Sequence, residues 1–161
     1  MVRMPLHVPD EARSALGLTE PALAFAKLED GWAVATRDGL HVLQGGRPLS
    51  RHWTDVDGAS LDGETGELEV RWVDGTEPVR FVVEARSRLP RVVHDRVQNS
   101  ILLAETVKVP GDRHVRVVLR RAADGTLFSQ VIGNGRVDLA DPAVAEVIDA
   151  AEARVREAAG L

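Results

Sequence analysis

The 161-residue sequence contains no cysteine, which excludes disulfides, thiolate nucleophiles and every cysteine-bearing zinc site. A reducing compartment fits that absence, and a cytoplasmic location is the expectation. No apolar run approaches the roughly 20 residues of a membrane-spanning helix. The first twenty residues carry Pro5, Pro9, Asp10, Glu11 and Glu20, which interrupt the apolar stretch a signal peptide needs. Lysine is scarce as well: of 20 basic residues only Lys27 and Lys108 are lysine. With abundant Ala, Val and Gly, that arginine bias fits a GC-rich bacterial genome more simply than a nucleic-acid-binding design. Internal repeats and low-complexity tracts are absent.

What is present suits a soluble globular chain. Hydrophobic residues make up 44% and charged residues 28%, enough to bury a core without staples. The length predicts one domain, 1–161. A net charge of −5 gives no general attraction to nucleic acid or anionic membranes, so nucleic-acid partners are not expected.

Seven short strand-like runs separated by turn signals occupy Ala22 to Val83. Asp38-Gly39, Gly45-Gly46 and Asp74-Gly75 are hairpin signals, because a type I′ turn needs positive φ at both central positions. Pro48 cannot donate to a ladder, so the fourth run is an edge or begins at Pro48. Glu67-Leu68-Glu69-Val70-Arg71-Trp72 alternates polar and apolar residues, the pattern of a half-buried strand. Ahead of these runs lies an arm with a short helical stretch at Pro9 to Leu16.

From Ser87 the period changes. Leu89, Val93, Val97, Ile101 and Ala104 recur at spacings of three and four, predicting one helix from Ser87 to Val107 with Ser87 as cap and Pro90 in its first turn. A second unit, 112–161, follows. It has a strand at His114–Arg121, a turn at Asp124-Gly125, a return at Leu127–Ile132 and a bend at Gly133-Asn134-Gly135. Its final helix is opened by Asp141-Pro142 and striped by Val144, Val147, Ile148, Ala151 and Val155. An isolated hairpin is marginal in water, so this appended hairpin and helix must pack on the larger unit or on a second chain.

Seven hairpin-linked strands closed by a helix resemble the element order of pleckstrin-homology-like (PH-like) domains over Ala22–Val107. The chain also resembles uncharacterised high-GC bacterial proteins with a similar segment, here Arg51-His52-Trp53-Thr54-Asp55-Val56-Asp57-Gly58-Ala59. The resemblance implies an α+β, mainly β fold: a seven-stranded antiparallel barrel or sandwich (22–107) plugged by a helix, with the appended hairpin and helix beyond it. It implies peptide, protein or headgroup binding rather than catalysis. Members that bind phosphoinositides use basic residues in the first hairpin loop. Here that loop is Glu29-Asp30-Gly31 with only Lys27 nearby, so headgroup binding is not expected.

Individual residues add little chemistry. Five histidines, His7, His41, His52, His94 and His114, show no metal-ligand spacing. If Gly45-Gly46 is the turn, His41 faces Ser50 across the hairpin, with His52 diagonal to it on the same face. No nucleophile elbow occurs, and Asp55 and Asp57 suit a turn better than a cation. No catalytic set, metal or cofactor is expected. The best recognition candidates are His114, Arg116 and Arg120, which share one strand face and can make forked contacts with carboxylates or phosphates. Trp53 and His52, at a strand end beside an edge, complete the candidate binding set.

The function expected is a non-enzymatic binding or adaptor module working through protein–protein contact or self-association. The alternative is a small-ligand protein or enzyme with a pocket between the two units, using His52, Asp55, His94 or Arg116.

Overall fold

The computed structural model describes residues 7–133 and 137–161. The chain divides into two compact units. The first runs through Trp72 and resumes over Thr76–Val97; the second comprises Val73–Gly75 and Gln98–Leu161.

The first unit contains the seven expected strands. A four-stranded antiparallel sheet runs in sequence order through β1 (Ala22–Leu28), β2 (Gly31–Thr36), β3 (Gly39–Gln44) and β4 (Arg47–His52). After one 3-10 turn at Trp53–Asp55, β5 (Val56–Leu61), β6 (Glu67–Trp72) and β7 (Val79–Val82) form a second sheet. Among the described residues no ladder joins the two sheets, so the strands do not close into a barrel. Side chains link them instead: Gln44 Nε2 donates to the Arg80 carbonyl at 3.0 Å, and the Arg51 guanidinium lies 4.8 Å from the Trp72 ring centroid.

Turn chemistry explains the registers. Gly45 and Gly46 have φ of 58° and 76°, as a primed two-residue hairpin requires, and β3 and β4 pair so that His41 faces Ser50. The Asp38-Gly39 signal acts differently. The bend falls on Arg37 and Asp38, while Gly39, with no positive φ, opens β3. Glycine is needed there for space: a Cβ at Gly39 would meet the Arg51 backbone carbonyl.

Each strand of the first sheet alternates between two faces. One buries Ala24, Ala26, Leu28, Ala33, Ala35, Leu40 and Val42. The opposite face receives α1 (Asp10–Leu16), whose Ala12 and Leu16 form an apolar cluster with Val8 and Val34, flanked by Phe25, Trp32 and Leu43. The short helix expected at Pro9 to Leu16 is therefore a packed element of the first unit, stopped by Gly17 at φ 62°, a conformation open to glycine at little cost.

The helix expected over Ser87–Val107 ends early. Helix α2 covers Leu89–Ser100, with Leu89, Val93 and Val97 buried and the Ser87 hydroxyl accepting from the Leu89 amide at 3.2 Å. Ile101–Val109 is a nine-residue strand, β8. Ile101 and Ala104 fit the helical period by coincidence. From Thr106 the chain alternates, with Val107 and Val109 buried and Thr106 and Lys108 exposed, and β-branched residues favour the pleated conformation.

That strand changes the second unit. β9 (Arg113–Arg121) lies between β10 (Leu127–Ile132) and β8, giving a three-stranded antiparallel sheet in place of a bare hairpin. α3 (Pro142–Ala158) covers one face of it: Val144, Ile148, Ala151 and Val155 form a single core with Val107, Val109, Val115, Val117 and Leu119. Asp141 caps the helix by accepting from the Ala143 amide at 3.0 Å, with Pro142 in the first turn, as the Asp-Pro pair predicts. The Arg154 guanidinium grips Glu105 of β8 through two nitrogens at 2.7 and 3.0 Å. The helix thus packs on its own sheet. Of the bend expected at Gly133-Asn134-Gly135, Asn134 and Gly135 lie outside the described residues.

Candidate functional site: the basic hairpin and the His41 chain

In β9 the odd positions Val115, Val117 and Leu119 point into the core under α3, so the even positions His114, Arg116, Val118 and Arg120 line the opposite face. The sequence-based pairing of His114, Arg116 and Arg120 on one face therefore agrees with the strand's geometry. Their environments differ. His114 is exposed and Arg116 half-buried, whereas Arg120 is 0% exposed and reaches the buried Ser100 hydroxyl through Nη1 at 3.5 Å. Burial withdraws the Arg120 guanidinium from external recognition. A buried guanidinium is costly without partners, and its role is internal to the fold.

Cross-strand neighbours extend the accessible end of this face. Lys108 pairs with His114 and Thr106 with Arg116 on β8, while Ile132 of β10 pairs with Arg116 on the other side. Lys108, Thr106, Arg113 and His114 are exposed. Lys108 holds Asp112 across the turn at 2.6 Å, and Asp112 has φ 61°. This hairpin end is basic in a chain of net charge −5.

The other two candidates separate in the first unit. Trp53 is 5% exposed, and its indole Nε1 donates to the Thr36 carbonyl at 2.9 Å, so its ring fills the core and offers no external platform. His52 is exposed and lies opposite Gly39. Of the other residues named for a ligand pocket, Asp55 is half-buried and His94 exposed. Among the described residues no group of three His, Asp or Glu side chains is placed to hold a metal ion.

A polar chain centred on His41 was only partly legible in the sequence. His41 Nδ1 lies 2.8 Å from Ser50 Oγ, and Nε2 lies 3.1 Å from Thr36 Oγ1. The buried Thr36 hydroxyl also stands 3.5 Å from Glu20 Oε1. Counting about the Gly45-Gly46 turn found the Ser50 contact; Glu20 and Thr36 meet it only through tertiary packing. Burial lowers the His41 pKa below the ordinary value of 6.5, outweighing the Asp38 carboxylate, which acts to raise it. Burial and then the adjacent Asp38 carboxyl raise that of Glu20 above 4.5.

These shifts have opposite consequences for stability. Below pH 6.5 the unfolded chain binds the histidine proton that folded His41 resists, so His41 costs stability as pH falls through 6.5 towards its folded value. Glu20 acts the other way: above 4.5 its folded carboxyl keeps a proton longer than the unfolded one, so its contribution falls as pH rises towards its folded value. Unfolding free energies measured by urea titration between about pH 7.5 and about pH 5.5 should therefore fall in the wild type relative to His41→Gln, the Glu20 contribution being shared by both. Equal slopes in the two proteins would remove His41 as the cause.

No family model matches the chain, and neither a curated protein nor a solved structure matches it.

Proposed function

We propose that the chain is a non-enzymatic binding module that acts through protein–protein contact. In this reading its first unit is a PH-like sandwich of four and three strands followed by α2, and the exposed end of the β8–β9 hairpin is its recognition surface. The observation that carries the reading is the placement of Lys108, Arg113 and His114 together in the open, beside a helix whose apolar stripe is already used by its own sheet. Since α3 leaves no apolar stripe to offer a partner, a charged surface is the better candidate. Exposed charges of this kind set partner choice and encounter rate more than raw affinity.

The test compares the wild-type full chain with Lys108→Glu/Arg113→Glu as bait, identifying co-purified proteins after matched washes at low and high salt. A partner captured by the wild type at low salt should be lost, by about tenfold or more in yield, from the variant. Equal capture by both baits would move recognition away from this hairpin.

A further inference from the structure

Around the exposed turn of the β8–β9 hairpin, residues 108–114 carry Lys108, Arg113 and His114 against one carboxylate, Asp112, which Lys108 holds. Around the turn of the β5–β6 hairpin, residues 61–67 carry Asp62, Glu64 and Glu67 with no basic residue. Each segment is the end of a hairpin, and each exposes its charged residues. On the acidic hairpin Asp62, Glu64 and Glu67 are exposed, whereas Glu69 is occupied by Arg80 at 2.8 Å and Arg71 at 3.4 Å. The loop between β5 and β6 is ordered by its own bonds: Asp62 Oδ1 accepts from the Glu64 amide at 2.8 Å, and the Asp62 amide donates to the Glu67 carbonyl at 2.9 Å.

Two large apolar side chains stand at the same end of this sheet. Leu61, 49% exposed, adjoins Asp62, and Val82, 57% exposed, pairs with Glu67. Leu61 lies on the face of Leu68 and Val82 on the face of Glu67, so one exposed aliphatic flanks the acidic group on each side. Apolar contact ringed by charge is the composition of a protein-binding surface. Thr106 and Ile132 stand beside the basic end, both as neighbours of Arg116.

We infer that the exposed basic end of the β8–β9 hairpin receives the acidic Leu61–Glu67 end of a second copy of this chain. The inference rests on the reading of the hairpin as a protein-binding surface and adds its occupant. Charge complementarity carries it: one chain exposes both halves, and each is depleted in the sign the other supplies. Like-charged surfaces repel, so the same pattern disfavours hairpin-to-hairpin pairing of two basic or two acidic ends. Exposed ion pairs are individually weak, which makes the association weak, concentration-dependent and sensitive to salt.

The experiment is sedimentation equilibrium of the full-length protein over a concentration series. At about 0.01 M salt the screening length is about 30 Å, and at about 1 M it is about 3 Å. Self-association is expected at low salt, with the dissociation constant rising about tenfold or more at high salt. Lys108→Glu/Arg113→Glu and Glu64→Lys/Glu67→Lys should each be monomeric alone, and mixing them should restore association, because every cross-contact is again between opposite charges. Arg86→Glu/Arg88→Glu, which changes net charge as much as the basic reversal but at exposed sites elsewhere, should associate like the wild type. A wild type that is monomeric throughout the low-salt series overturns the inference, as does association untouched by both reversals. Capture of another protein by a monomeric wild type would retire the self-association while leaving the binding-module reading in place.

Discussion

Replacing Leu119 by alanine is expected to lower the unfolding free energy by about 2–5 kcal/mol, a large part of the roughly 5–15 kcal/mol that holds a typical domain together. Leu119 is fully buried on the middle strand of the second unit's sheet, in the core shared with Val144, Ile148, Ala151 and Val155 of α3. The middle strand has neighbours on both sides, Leu103 of β8 and Ser129 of β10, so little can collapse into the space left behind. Truncation loses the transfer free energy of the removed methyl groups and leaves a cavity under the helix. Urea denaturation followed by far-UV ellipticity reads the loss. Trp32, Trp53 and Trp72 all lie in the other unit, so their fluorescence is not a direct probe of this core. A change below about 1 kcal/mol would mean that α3 is not seated on this sheet as described.

Trp53 gives the second large effect, separable into two parts. Trp53→Ala should cost about 3–5 kcal/mol by removing a buried ring. Trp53→Phe keeps an aromatic ring but removes the Nε1–H that donates to the Thr36 carbonyl at 2.9 Å; leaving a buried acceptor short of its partner costs about 1–3 kcal/mol. The Thr36 hydroxyl is also the point where His41 and Glu20 meet, so the phenylalanine variant loosens the support of the polar chain. Denaturant midpoints of the two variants against wild type measure both parts. A Trp53→Phe protein as stable as the wild type would show that the indole hydrogen bond adds nothing net, and a Trp53→Ala protein of that stability would remove Trp53 from the core.

The seven strands of the first unit were readable because their turns carry a local cause. Gly45 and Gly46 adopt the positive φ that their sequence suggests, and that one turn fixed the His41–Ser50 facing. Asp38-Gly39 shows the limit of such reading: the same dipeptide was placed one residue late, since Gly39 serves close backbone approach to Arg51 and not turn curvature. The end of α2 was misread for a different reason. Apolar residues at 97, 101 and 104 satisfy a helical period, whereas the alternation from Thr106 to Val109 that marks a strand starts only afterwards. Reading Ile101–Val107 as helix removed a strand from the second unit and left its hairpin and helix needing the larger unit or a second chain to pack on.

The candidate set was legible in the same partial way. Strand alternation alone places His114, Arg116 and Arg120 on one face. It carries no information about what covers each end of that face, so the burial of Arg120 and the exposure of His114 are tertiary facts. Trp53 was a candidate because it ends a strand beside an edge; the 3-10 turn at Trp53–Asp55 turns its ring inward to reach Thr36.

The sequence by itself determined the element order to Val83, the β3–β4 register, the capped start of α3 and the opposed charges of the two hairpins, because each follows from local dihedral preference, periodicity or composition. Tertiary structure alone decided that residues 101–109 pair as a strand, that α3 spends its apolar stripe on its own sheet, and that Arg120 and Trp53 are withdrawn while Lys108, Arg113 and His114 stay open. The reason is physical: burial and strand pairing depend on which distant segments share a surface, and no local pattern along the chain records that.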